Sequence, residues 1–302
     1  MEHQENMTHL QVISKKLNTE KVAGFIFVSP FVLGFLFFIV VPMFVSLYYS
    51  FCDYTIIKDP VFVGLKNYIK MFTADSRFWK ALWVTLKYAF ISVPLRVAFA
   101  LLVALLLKRD SKMIPIYRAM FYLPSILGSS VAVAVLWKRL FANNGLVNQL
   151  FGLDLKWLGD TRTAIWVLIL LSIWQFGSSM LIFLASLKQI PKTLYEAAEV
   201  DGVNKFKQFL HITFPLLTPT IFFNFIMQFI NGLLVFSQGQ IITAGKPLDS
   251  TLFYVLYMYE QSFSYNRAGY AVAMGWFMII VIGFFTFLLF KSKKYWVYEG
   301  GF

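Results

Sequence analysis

Six stretches of about 20 or more residues run along this chain almost without charge, separated by segments where Lys, Asp, Asn and Gly return. They extend roughly from Val22 to Phe51, Leu82 to Leu107, Ala119 to Trp137, Ala164 to Leu187, Leu210 to Phe236 and Ala268 to Phe290. A helix rises about 1.5 Å per residue and a bilayer core is about 30 Å thick, so each stretch is long enough for one crossing. The predicted fold is therefore all-α, a polytopic membrane protein with six transmembrane helices in a single domain over residues 1–302. The first stretch follows Lys15, Lys16 and Lys21, as the apolar part of a signal peptide would. It is far longer than an h-region of about 7–15 residues and has no small-x-small site, so it reads as an uncleaved first span. Residues 67–80 mix Asn67, Tyr68, Met71, Phe72, Phe78 and Trp79 with Lys70 and Lys80, the pattern of an amphipathic helix at headgroup level. A solvated loop is the alternative there.

Composition supports the same picture. Of 302 residues, 59% are hydrophobic and 14% charged, and the mean hydropathy is +0.67; soluble domains keep about a quarter of their residues charged. Soluble enzymes and secreted domains are excluded. The net charge of +12 fits anionic lipid and membrane topology better than nucleic acid, because no basic run is interleaved with base-stacking aromatics. The N-terminal tail 1–21, residues 108–118 and 188–207, and the C-terminal tail 291–302 hold 14 Lys and Arg in 64 residues, against 11 in 86 for the opposite loops. Both termini are thus expected on the cytoplasmic side of the membrane. The single cysteine, Cys52, excludes an intrachain disulfide. His3, His9 and His211 have no ligand spacing, and no metal is expected.

The cytoplasmic segment 188–209 carries the densest local signal. Thr193 and Glu196 have the spacing of a capping box, which predicts a short helix starting there. Ala197 and Ala198 leave its surface low enough for another protein to approach, and Gly202 can supply a left-handed C-terminal turn. The run Glu196-Ala197-Ala198, three residues, Gly202, nine residues, Ile212, one residue, Phe214-Pro215 resembles the EAA loop of binding-protein-dependent ABC importer permeases, EAA-x3-G-x9-I-x-L-P. Phe214 for Leu is its one departure. Segments Gly24 to Phe31, Phe62 to Tyr68, Tyr122 to Ser125, Trp157 to Asp160 and Arg267 to Ala271 resemble the sugar-importer branch. They are similar to the first permease of maltose, lactose, multiple-sugar and glycerol-phosphate systems. The large extracellular insertion of the enterobacterial maltose subunit is missing.

This resemblance implies a type I ABC importer permease fold and a transport role: one permease subunit moving a sugar, expected to be an oligosaccharide, across the bacterial plasma membrane. It implies a homologous second permease, a cytoplasmic ABC ATPase dimer and an extracellular sugar-binding protein as partners, with membrane lipid around them. ATP and Mg would bind the ATPase and no cofactor this chain. Consistently, no GxxxxGK[ST] occurs; Gly239 to Pro247 has the wrong spacing and a Pro where Ser or Thr belongs. Thr193, Tyr195, Glu196, Ala197, Ala198, Asp201 and Gly202 are the residues implied to dock the ATPase.

Polar residues inside hydrocarbon are unfavourable unless they face a cavity or a partner. In the fifth stretch and beyond it, Asn224, Gln228, Asn231, Val235 and Gln238 follow a 4,3,4,3 spacing, one helix face. In the fourth, Ser172, Gln175 and Ser179 follow 3,4, beside Trp174 and Phe176. Amides bind hydroxyls and aromatic rings cover pyranose faces, so these stripes are a candidate sugar site; amides joining helices is the competing reading. Resemblance to the maltose branch adds Phe176, Gly232 and Val235 as contacts. Pro30, Pro42, Pro94, Pro124, Pro215 and Pro219 are expected to bend or end helices. Arg96, 11 residues before Leu107, falls near the midplane, where it pairs within the bundle or meets an acidic substrate; the helix contact is the preferred reading. A secondary transporter or channel acting alone is the alternative function, but the repeats or intramembrane carboxylates of secondary carriers are not seen.

Overall fold

The computed structural model describes residues 20–108, 112–128 and 130–298. Most of the N-terminal tail, Arg109 and the last four residues of the C-terminal tail lie outside them. Five helices are long and apolar enough to cross a membrane: Gly24–Ser50, Ser76–Leu106, Ala164–Gln189, Lys205–Leu233 and Ala268–Trp296. A bent pair, Ile114–Leu127 and Val131–Leu140, occupies the place of the third span. Two-residue strands β1 (Cys52–Asp53) and β2 (Val61–Phe62) pair antiparallel in the first outer loop, and the rest is helix and turn.

The second span, 31 residues and roughly 46 Å long, is the axis of the fold. It packs on the fifth span, on both halves of the fourth and on a short outer helix, Tyr254–Tyr259. Ala81, Ala89, Ala100 and Ala104 on it are wholly buried, small residues that let helix backbones approach where lipid gives no hydrophobic drive for association. Polar pins join the outer helix to the second and sixth spans: Thr85 Oγ1 accepts from the Tyr254 backbone N–H at 2.8 Å, and the Tyr254 hydroxyl donates to the Met274 carbonyl at 2.8 Å. The first span packs on the sixth through its second half, Val41–Ser50. Elsewhere it presents bare rings, Phe27 85% and Phe38 83% exposed, which in a bilayer face lipid or another subunit.

Three expectations are corrected. The third span is not one straight crossing of Ala119 to Trp137; its halves meet at 97°. A Cβ on Gly128 would stand 2.4 Å from the Gln175 side chain, the Gln175 amide donates to the Gly128 carbonyl at 3.0 Å, and Ser130 caps the second half through the Val133 N–H at 3.3 Å. The chain breaks there to seat the fourth span. The amphipathic segment 67–80 is two elements: Lys66–Thr73, then the start of the second span at Ser76, because Asp75 accepts from the Phe78 N–H at 3.0 Å and begins a new helix. The capping box does not form either. The loop helix runs Lys192–Val200 with Pro191 at its N-cap, so Thr193 is already inside the helix and no side chain caps it.

Of the prolines, Pro42 and Pro215 follow closely on π-helical turns, Leu36–Val40 and Phe209–Thr213, within the spans Gly24–Ser50 and Lys205–Leu233. Pro30, Pro94, Pro124 and Pro219 lie inside helices that continue past them.

Candidate functional site

Midway along the second span, a cavity of about 320 Å³ opens between it and the fourth and fifth spans. The second span contributes Tyr88, Ser92, Val93 and Arg96. Ser172, Gln175 and Ser178 enter from the fourth, and Gln228, Asn231 and Gly232 from the fifth. The lining is completed beyond the fifth span by Val235, Phe236, Ser237 and Gln238. Hydroxyls and amides dominate it, with the rings of Tyr88 and Phe236 as its aromatic walls.

Each span reaches the cavity for a local reason. The fourth is broken between Ala164–Trp174 and Gly177–Gln189, and the break frees the Gln175 carbonyl from helix bonding. Arg96 donates an Nη hydrogen bond to that oxygen, and Ser125 Oγ donates to it at 2.9 Å. A Cβ on Gly177 would stand 2.4 Å from the Phe121 carbonyl, so this break also crosses the third span at backbone distance. On the fifth span, a Cβ on Gly232 would meet Val93 at 3.3 Å and Ala89 at 3.4 Å, so a bare glycine lets the two spans close beneath the cavity. The fifth-span helix ends at Leu233. Val235 and Gln238 therefore do not continue its face, contrary to the 4,3,4,3 pattern, but arrive from the chain beyond its end.

Of the ten predicted sugar-site residues, Ser172, Gln175, Gln228, Asn231, Gly232, Val235 and Gln238 reach the cavity and the other three do not. Phe176 is buried edge-on against Phe99, ring centroids 4.8 Å apart. Ser179 is buried and accepts from the Gln228 amide at 2.9 Å. Asn224 is buried too and donates to the Thr220 carbonyl one turn back at 3.0 Å. Trp174 lies tilted against Trp137, ring centroids 5.7 Å apart, and is not part of the cavity lining. Tyr88, Ser92, Ser178 and Ser237 were not foreseen. The signal for the first two was a 4,4 spacing ending at Arg96, which places all three on one helix face.

At the far end of the second span lies the loop helix Lys192–Val200. Tyr195 holds it: its hydroxyl shares a hydrogen bond with Thr213 Oγ1 at 2.8 Å, and Lys108 sits 4.1 Å over its ring. Ala198 is buried against the bundle, while Thr193, Glu196, Ala197, Asp201 and Gly202 remain outside. Gly202 has φ +71°; its N–H donates to the Glu199 carbonyl at 3.0 Å and the Val203 N–H to Ala198 at 2.9 Å, a Schellman ending. Val200 and Phe206, 89% and 70% exposed, flank that turn as apolar ground.

At the opposite end, carboxylates tie the outer loops together. Asp75 accepts from the Tyr257 hydroxyl at 2.8 Å and the Tyr270 hydroxyl at 2.6 Å. Arg77 makes a forked pair with Asp249, 2.8 and 2.9 Å, and approaches Glu260 at 3.5 Å. The hydrogen bonds from Arg77 hold the Asp249 carboxyl below its ordinary range, whereas burial pushes Glu260 up. A depressed folded pKa contributes stability that is full above the unfolded value of about 3.9 and is lost as pH falls through the folded one. The pair is partly exposed, so its worth is at most about 1 kcal/mol. Asp249→Asn is expected to speed proteolysis within loop 237–267 at neutral pH, and acidification below about pH 4 to speed it in the wild type. Equal cleavage of the two proteins at pH 7 would show that the pair does not hold the loop.

Residues 71–292 match the family model of the binding-protein-dependent transport system inner membrane component. The chain is 48% identical over 292 residues to the probable ABC transporter permease protein YesP of Bacillus subtilis, covering 94% of each. It is 32% identical over 275 residues to that organism's arabinooligosaccharides transport system permease protein AraP, covering 87% of this chain and 86% of the relative. A chain from the crystal structure of a bacterial alginate ABC transporter, in complex with a periplasmic protein bound to alginate pentasaccharide, superposes with a TM-score of 0.80 at 22% identity, over 92% of this chain and 96% of that one. That likeness establishes the type I importer permease fold, and the sequence matches establish kinship. By the family match and the sequence identity the chain belongs to the inner membrane components of binding-protein-dependent transport systems.

Proposed function

We propose that this chain forms one half of the pathway of an ATP-driven importer that carries an oligosaccharide across the bacterial plasma membrane. The observation that carries the reading is the cavity between the second, fourth and fifth spans, walled by hydroxyls, amides and two aromatic rings. Amides satisfy sugar hydroxyls that have left water, and rings lie against sugar faces. The relative named as an arabinooligosaccharide permease and the fold neighbour from an alginate transporter support a saccharide cargo.

ATP is hydrolysed on a separate cytoplasmic dimer, to which the outward face of the loop helix, with Glu196, Ala197 and Gly202, presents itself. The exposed Val200 and Phe206 add apolar area for that contact. A homologous permease closes the open side of the cavity, and a sugar-loaded binding protein rests on the outer loops that Asp75 and Arg77 hold together. Both termini then lie in the cytoplasm with the loop helix, a placement that the denser Lys and Arg of the two tails and the loop support. ATPase dimerisation moves the loop helix as a rigid body and alternates access to the cavity. Affinity purification of the full chain from its host membranes is expected to bring down an ABC ATPase and a second permease, and reconstituted vesicles to take up saccharide only with ATP and binding protein present. ATP-independent uptake by this chain alone would overturn the proposal.

A further inference from the structure

Building on the proposed sugar pathway, we infer that the cavity is made for an acidic oligosaccharide, with the Arg96 guanidinium taking a uronate carboxylate. Arg96 is the one charged residue among the described residues of the lining. The ion pairs of the described chain all lie elsewhere, at Arg77, Arg162 and Lys205. Its charge therefore stands uncompensated in the middle of the pathway. A guanidinium cannot shed its proton to escape that environment.

Helix contact accounts for part of Arg96 only. One Nη donates to the Gln175 carbonyl, which orients the side chain. Its Nε is buried and has no partner, and neither has the Oγ of Ser92, one turn away on the same face of the second span. A neutral sugar entering here would displace water from a cation and give it nothing of opposite sign, which is unfavourable. A carboxylate would accept from the remaining N–H groups of the fork and from the Ser92 hydroxyl, the strongest arrangement a guanidinium makes with an anion. Asn231 and Gln238 across the cavity remain for sugar hydroxyls. Arg96 is thus a specificity-determining contact that also braces the break in the fourth span.

The test is ATP-driven uptake by the complete importer with its binding protein in vesicles. The probes are uronate-containing oligosaccharides, each paired with its carboxyl-reduced, neutral counterpart of the same linkage. Wild type is expected to take up at least one acidic member of the set. Arg96→Gln should lower that uptake tenfold or more and lower the ratio of acidic to neutral uptake by a similar factor, with complex yield measured in the same membranes. If Arg96→Gln does not assemble, Asn231→Asp serves instead: a carboxylate placed in the same cavity should lower the ratio of acidic to neutral uptake by a similar factor. Transport of neutral sugars alone by the wild type, or an unchanged acidic-to-neutral ratio in the variant that assembles, would overturn the inference and leave the sugar pathway standing. Uptake of neither kind would count against the pathway itself.

Discussion

Gly202→Val is expected to abolish transport while the permease still inserts and pairs. At φ +71° the residue ends the loop helix in a left-handed turn, and no neighbouring atom lies within 4 Å of an added Cβ. The damage is therefore confined to the backbone. A side chain in that region costs roughly 1–2 kcal/mol, and a β-branched one is the least tolerated. The hydrogen bonds from Gly202 to Glu199 and from Val203 to Ala198 close the helix, so relieving the strain unwinds its last turn and displaces Val200 from the exposed face of the loop helix. Co-purification of the ATPase and ATP-driven uptake should fall together. Gly202→Asn, which enters the left-handed region more readily, should recover much of both. Normal ATPase recovery and normal uptake with valine would show that this turn does not couple the two subunits.

Asn231→Ala is expected to weaken sugar uptake with little effect on assembly. Asn231 lines the cavity and is exposed, in contrast to Gln228, which donates to the buried Ser179 hydroxyl at 2.9 Å. Removing an amide that meets a desolvated sugar hydroxyl costs about 1–3 kcal/mol, a loss of roughly five- to a hundredfold in apparent affinity. Gln228→Ala should lose affinity and stability together, since it also strands Ser179. Phe229→Ala is the packing control. Its ring lies between Phe90 and Phe285, with centroids 5.2 and 5.6 Å away, so it should reduce folded yield and leave the affinity of the surviving complex unchanged. Wild-type affinity in both amide variants would place the sugar elsewhere.

Sequence by itself determined the membrane class, five of the crossings and the loop helix. Those rest on properties that a chain carries locally: the length of an uncharged run against the thickness of a bilayer, and a glycine six residues after Glu196 that forces a left-handed turn. Polar residues in an apolar run also marked the cavity, because their unfavourable transfer to hydrocarbon does not depend on the rest of the fold. Tertiary structure decided the rest. The third span breaks because Gly128 must accept Gln175 at backbone distance, and nothing near Gly128 in sequence announces a partner 47 residues away. Ser179 and Asn224 have the right residue types and spacing for a pathway, yet both satisfy their hydrogen bonds inside the bundle. Periodicity names a helix face, and only the packing of neighbouring helices settles whether that face meets a cavity or another side chain.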